Sequence, residues 1–189
     1  MTHKRPSGLA LGALLLLLLG CGHTHHTGKH VRWDVKTLQD FDTAWLTEGG
    51  LYPAEKSTIA EMNELIAPDG LHKNSPREAK EEILVVVGGY IDKPVKPEAD
   101  GDMHILLKDD NRGASITAEV PNPDAPDVRD SRFAAYFRAV RRWIADSLQP
   151  PPSPNNPYHV VITGVRFFDD AHAKTEVHPV LGIRMAKRQ

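Results

Sequence analysis

The 189 residues contain one cysteine, Cys21, so neither an intramolecular disulfide nor a multi-cysteine zinc or iron–sulfur centre can form. Aromatic residues are scarce at 6%, and none lies between Ile91 and Arg132, whereas single-stranded nucleic acid is held on aromatic stacking platforms. Neither sign of charge dominates: 23 Lys plus Arg face 25 Asp plus Glu. No long basic face is left for a phosphate backbone, and nucleic acid is not an expected partner. A Gly-x-Ser-x-Gly nucleophile elbow is missing, and Gly88-Gly89 alone does not make a phosphate loop. No catalytic residue is assigned, and the sequence leans away from an enzyme. What is present, 40% hydrophobic residues in a chain of this length, suits one globular domain.

The one long apolar run spans Leu9 to Leu19 and follows a charged start at His3, Lys4 and Arg5. This is the layout of a secretory signal, too short to span a bilayer comfortably. Leu18-Leu19-Gly20-Cys21 resembles the bacterial lipobox. That resemblance implies a signal peptide over 1–20, lipidation of Cys21 (the palmitate class of modification), and export to the bacterial cell envelope with membrane lipid as a partner. Such an anchor also accounts for an unpaired cysteine in an exported chain. Without Lys4 and Arg5, 21 basic residues face 25 acidic ones, a net charge of −4 with histidines neutral. Residues 21–30 carry His23, His25, His26 and His30 with nothing to bury, which reads as a solvated tether. Zinc, nickel or copper could bind there, but a flexible tract fixes no geometry and selects no metal.

Residues 31–80 read as an N-terminal extension with one short helix. Thr58 and Glu61 form a capping box, and Ile59, Met62, Leu65 and Ile66 share a face before Pro68. Residues 81–189 change period. Ile83 to Ile91 is a β-rich run whose Gly88-Gly89 suggests a bulge. Asp102 to Lys108 alternates, with Met103, Ile105 and Leu107 on one face. A turn over Asp109 to Gly113 leads into Ile116 to Val120. A helix from Asp130 or Ser131 places Phe133, Phe137, Val140, Ile144 and Leu148 in one stripe and ends before Pro150. Its other side carries Arg132, Arg138, Arg141 and Arg142, a solvated face rather than a phosphate patch. Tyr158 to Phe168 and Val177 to Met185 complete the strands. The order β-β-β-α-β-β is that of a five-stranded OB-type barrel, mainly β with one packed helix.

Asp100-Gly101-Asp102, followed by an alternating strand, a third strand and a helix, resembles the thermonuclease-like branch of OB folds, in which an Asp-Gly-Asp run supplies a calcium ligand. The carry-over reaches Asp100 and Asp102. Met103 stands where that branch has threonine, and Ile116 to Val120 contains no arginine. A closer resemblance is to a group of exported bacterial proteins. Its marks are Trp33-Asp34-Val35-Lys36-Thr37 with Asp40, Asp100-Gly101-Asp102-Met103-His104-Ile105, Ala118-Glu119-Val120-Pro121, Gly164-Val165-Arg166-Phe167-Phe168-Asp169 with His172, and Glu176-Val177-His178-Pro179-Val180. It brings no activity with it.

Asp102, His104, Glu119, Glu176 and His178 lie on strands whose alternate positions are apolar, so they project away from the core or into the barrel mouth. Two imidazoles with carboxylates suit a divalent metal or a general acid–base pair, and equally suit cross-strand contacts that fix register. Asp169, Asp170 and His172 read as turn residues. The leading expectation is a non-catalytic OB-like binding domain on a lipid anchor, with an envelope protein or glycan as partner. The alternatives are a metal-dependent phosphodiesterase or nuclease and a periplasmic metal-binding protein.

Overall fold

The computed structural model describes residues 32–40, 54–170 and 174–187. The chain is mainly β with one long packed helix. Strands β1 (Glu55–Ser57), β2 (Leu84–Ile91), β3 (Lys96–Pro97), β4 (Met103–Lys108), β5 (Ser115–Val120), β6 (Tyr158–Asp169) and β7 (Lys174–Met185) form a seven-stranded sheet in the order β1-β2-β6-β7-β5-β4-β3. Tyr90 of β2 also pairs with Lys108 of β4, which curls the sheet into a partial ring. Helices α1 (Trp33–Lys36) and α2 (Ile59–Glu64) precede the ring strands, and α3 (Ala134–Ser147) connects β5 to β6. No helix of the described residues is long and apolar enough to cross a membrane.

Seven strands are found where sequence periodicity offered five, because two edge strands are too short to show a period. β1 pairs parallel with β2, and β3 adds a two-residue bridge to β4. The expected bulge at Gly88-Gly89 is absent, since β2 pairs with β6 without interruption from Leu84↔Val165 to Ile91↔Tyr158. Gly89 instead permits a close approach: a Cβ there would stand 2.5 Å from the Lys108 carbonyl oxygen and 2.8 Å from Leu107 Cγ. The register shifts of the sheet fall between β6 and β7, around Gly164.

The helical stripe packs as its spacing requires, with Phe133, Phe137, Val140, Ile144 and Leu148 all buried. The helix begins at Ala134 rather than Asp130 because bonds from Ser131 N–H to Val128 O and from Ala134 N–H to Ser131 O close three-residue turns there. Two of its arginines do not face solvent freely. Arg141 donates to the carbonyls of Gly101, Val120 and Pro121, and Arg138 donates to that of Pro123 and reaches Asp124. Both therefore clamp the β5–α3 loop, and Arg141 also reaches the β3–β4 loop.

Helix α2 has the expected capping box, with the Thr58 hydroxyl accepting from Glu61 N–H. Ile59 and Met62 are buried, but Ile66 is 81% exposed because the helix ends at Glu64 and Leu65 is extended. Upstream, the segment holding α1 is pinned by an ion pair. Arg32 Nη1 lies 2.8 Å from Glu81 Oε1, and Nη2 lies 2.5 Å from Oε2, with both side chains fully buried. Arg32 also donates to the carbonyls of Ser75, Pro76 and Phe168. Glu81 in turn accepts from the backbone N–H groups of Glu78 and Phe168, so every strong donor and acceptor of the pair is satisfied. Nearby, Arg77 pairs with Asp40 at 3.0 Å.

Candidate functional site

Strand register assembles the polar centre. β4 and β5 are antiparallel with His104 directly opposite Glu119. β5 and β7 are parallel with Ala118 beside Val177, so Glu119 and His178, each one residue further on, fall side by side. β3 extends the row outward, with Lys96 opposite His104. Alternation then sends Ile105, Ala118 and Val177, all fully buried, to the core face.

The Glu119 carboxylate stands between the two imidazoles. Its Oε1 is 3.3 Å from His104 Nδ1, and its Oε2 is 2.9 Å from His178 Nδ1. On the far side His178 Nε2 is 3.5 Å from Asp102 Oδ2. Asp102 Oδ1 accepts the Asn122 N–H at 2.9 Å. At the near side Glu98 Oε1 lies 3.0 Å from His104 Nδ1. The result is an alternating chain of acids and imidazoles, Asp102–His178–Glu119–His104–Glu98, running from the interior to the surface. His178 is fully buried and Asp102 is 1% exposed, whereas the side chains of His104 and Glu98 are 34% and 49% exposed. The ring nitrogens of His178 and His104 Nδ1 are close to carboxylates without forming aligned hydrogen bonds, and Asp102 Oδ2 likewise has no hydrogen-bond donor.

The electrostatics follow from this crowding. Burial alone would raise Glu119, but its contacts with His104 and His178 override that and hold it well below the usual carboxylate range. Glu119 raises His104 against the opposing effect of burial. Burial also acts to lower His178, and Asp102 and Glu119 together reverse it, so that imidazole too is raised. Glu176, 6% exposed, is pushed up to about 7, first by burial and then by the neighbouring Glu119 charge.

All five sequence-derived residues belong to this neighbourhood, but their parts differ. Glu119 touches both histidines; Asp102 backs His178; Glu176 feels Glu119 and His178 through their charges. Asp100 accepts the Asp102 N–H at 3.0 Å across Gly101, whose φ of 89° suits glycine. Asp169 ends β6 in a buried position and raises Glu176; His172, like Cys21 and the tether histidines, lies outside the described residues.

Three participants were missed. Glu98 sits in a proline-marked loop with no periodicity, and the β3–β4 pairing together with the bond from its N–H to the Asp102 carbonyl brings it back to His104. Lys36 of α1 bears electrostatically on Glu119, Glu176 and His178. Phe167 lies between them, its ring centroid 5.5 Å from that of His178 and 5.4 Å from Lys36 Nζ. The apolar-polar pattern of the Gly164 to Asp169 run offered a strand there, not a cover for an imidazole.

A groove of about 590 Å³ runs along the outer flank of β4, with His104 and Leu106 in its wall and Lys93, Lys96 and Glu98 around it.

The sequence matches no protein-family model, and no curated protein matches it. Among solved structures it is similar to OBody AM1L10 bound to hen egg-white lysozyme, with 16% identity and a TM-score of 0.41 over 75% of this chain and 100% of that one. It is also similar to the hypothetical protein ygiW from E. coli, with 17% identity and a TM-score of 0.31 over 55% of this chain and 75% of that one. Both scores are low, and neither bears on activity.

Proposed function

We propose that this chain is a lipid-anchored protein of the bacterial cell envelope, held through Cys21, whose globular part is a non-catalytic binding module on a five-stranded OB-type barrel. β2, β4, β5, β6 and β7 are the five barrel strands, with α3 between the third and fourth, and β1 and β3 are edge additions. The observation that carries the binding reading is the groove along β4. Its volume of about 590 Å³ lies within the range of small-ligand sites. It also lies on the second barrel strand, part of the face with which OB folds take their ligands. Lys93 and Lys96 favour an anionic group, while Pro94, Pro97 and Leu106 offer apolar contact. An envelope glycan, peptide or partner protein carrying such groups fits this lining.

Phosphodiester hydrolysis receives no support from the site. Of the two residues to which the thermonuclease resemblance reaches, Asp100 accepts the Asp102 N–H, and Asp102 is buried with one carboxylate oxygen on the Asn122 N–H and the other facing His178.

Two measurements test the proposal. Cys21→Ser should move the protein to the soluble fraction and abolish acyl labelling; membrane partitioning that survives the substitution refutes the anchor. A fragment library screened by ligand-observed NMR should yield binders that Leu106→Arg, which fills the groove, displaces. Binders indifferent to that substitution would place recognition elsewhere.

A further inference from the structure

We propose that Glu98, His104 and Glu119 form a binding site for a divalent transition ion of the zinc type at the wall of the β4 groove, with His178 and Asp102 as its positioning residues. This goes beyond the binding-module reading and does not depend on what the groove takes.

The three donor atoms already stand at metal-site spacing. His104 Nδ1 is 3.0 Å from Glu98 Oε1 and 3.3 Å from Glu119 Oε1, and all three lie within 4.8 Å of one another. Ligands about 2 Å from a tetrahedral ion are separated by roughly 3.3 Å, so an ion fits among them with small adjustments. His104 Nδ1 is buried from solvent and yet makes no aligned hydrogen bond. A buried polar atom without such a bond calls for a partner, and a metal ion is one that a ring nitrogen and two carboxylates would share. One imidazole with two carboxylates suits a borderline divalent ion better than a soft one. Three protein ligands leave a coordination position open, and here it would face the groove.

The rest of the chain of contacts supplies what a metal ligand needs behind it. Glu119 gives Oε1 to the site while its Oε2 lies 2.9 Å from His178 Nδ1, and His178 Nε2 lies 3.5 Å from Asp102 Oδ2, so a buried imidazole and a buried carboxylate stand behind the ligand. A ligand carboxylate fixed by a second, buried group is the usual means of orienting it. The inner trio of Asp102, Glu119 and His178 is also close enough to be considered. There, however, the two carboxylates face different nitrogens of one imidazole. With His178 and Asp102 almost fully buried, that arrangement leaves no open position. The outer trio has its entry path through half-exposed Glu98.

The test uses the full mature chain with His23, His25, His26 and His30 replaced by serine, so that the tether cannot bind metal. Titration with Zn²⁺ alone should show one ion per chain, and Co²⁺ should give a d–d absorption band. His104→Ala should abolish both while the far-ultraviolet circular dichroism is unchanged. His178→Gln should weaken binding by about 10- to 100-fold, the range for removal of a supporting contact. Glu98→Gln, at an exposed position, should weaken it at least about tenfold and serves as the decisive variant if His104→Ala unfolds. Absence of stoichiometric Zn²⁺ in the tether-substituted chain overturns the proposal. So does binding that survives His104→Ala or Glu98→Gln undiminished, including binding that only His178→Gln abolishes, which would put the ion in the inner trio.

Discussion

Glu119 Oε2 and His178 Nδ1 stand 2.9 Å apart because two strands distant in sequence, β5 and β7, run parallel with Ala118 beside Val177. The contact places an acid and a base of strongly altered affinity for protons in one buried layer, with Glu176 beside them. The consequences for stability are directional.

Glu176 is raised to about 7 from an ordinary 4.5. A group whose affinity for protons is greater in the folded state stabilises fully below the unfolded value and loses that contribution as pH rises through the folded one. His178 is raised as well and acts in the same sense. Stability should therefore fall as the solution goes from pH 5 to pH 8. Glu176→Gln, which cannot ionise, should flatten that fall by up to about 3 kcal/mol. Urea midpoints of both proteins at the two pH values measure it, and parallel curves would contradict the assignment. Glu119, lowered, works oppositely: its contribution is full above the ordinary carboxylate range and is lost progressively as pH falls from there toward its lowered folded value.

Breaking the buried pair of Arg32 and Glu81 strands a charge. Arg32→Ala or Glu81→Ala should each cost about 3–5 kcal/mol, and Arg32→Met with Glu81→Leu should cost clearly less than the two single losses added, because neither charge is then stranded even though the backbone groups they served lose their partners. Denaturant unfolding of the two singles and the double completes the cycle; strictly additive losses would mean that the two charges do not depend on one another.

Phe137 is fully buried at the centre of the α3 stripe. Its replacement by alanine should cost about 3 kcal/mol or more. A shift in the thermal midpoint of a degree or less would show that the helix is not held by that stripe.

Gly89→Ala tests the curl of the sheet. The added methyl meets the Lys108 carbonyl at 2.5 Å, so β4 must shift away, at a cost of about 1–3 kcal/mol. Hydrogen exchange should quicken around Tyr90 and Lys108, and an unchanged pattern there would mean that the two strands do not constrain one another.

Short-range pattern accounts for much of this architecture. The alternation of Met103, Ile105 and Leu107 set one face of β4, the fourfold and threefold steps from Phe133 to Leu148 set the buried side of α3, and Thr58 with Glu61 set a helix start. Each signal is local, because the period of an element and its caps are properties of a few neighbouring residues. The polar residues of three strands could be named for the same reason, since each interrupts an apolar alternation. Alternation also argues that His104, Glu119 and His178 converge, since both imidazoles leave the same core, but not which atoms meet. That Glu119 serves both His104 and His178 depends on two registers, one antiparallel and one parallel, and register between distant strands is set by whole-sheet packing. Glu98 was illegible for a different reason: a two-residue edge strand has no period at all.

Under the proposed lipid anchor, the clamp on Arg32 would also set where the folded part begins above a bilayer. Only eleven residue steps separate Cys21 from Arg32, and at about 3.5 Å per step the leash spans at most about 40 Å. On the proposed anchor at Cys21, the folded part would stand no more than about 40 Å from the lipid surface. A pull along that segment would reach Arg32 first, where the backbone N–H bonds the Lys73 carbonyl and the guanidinium is locked on Glu81 and the Phe168 carbonyl at the end of β6, so the load would pass straight into the sheet.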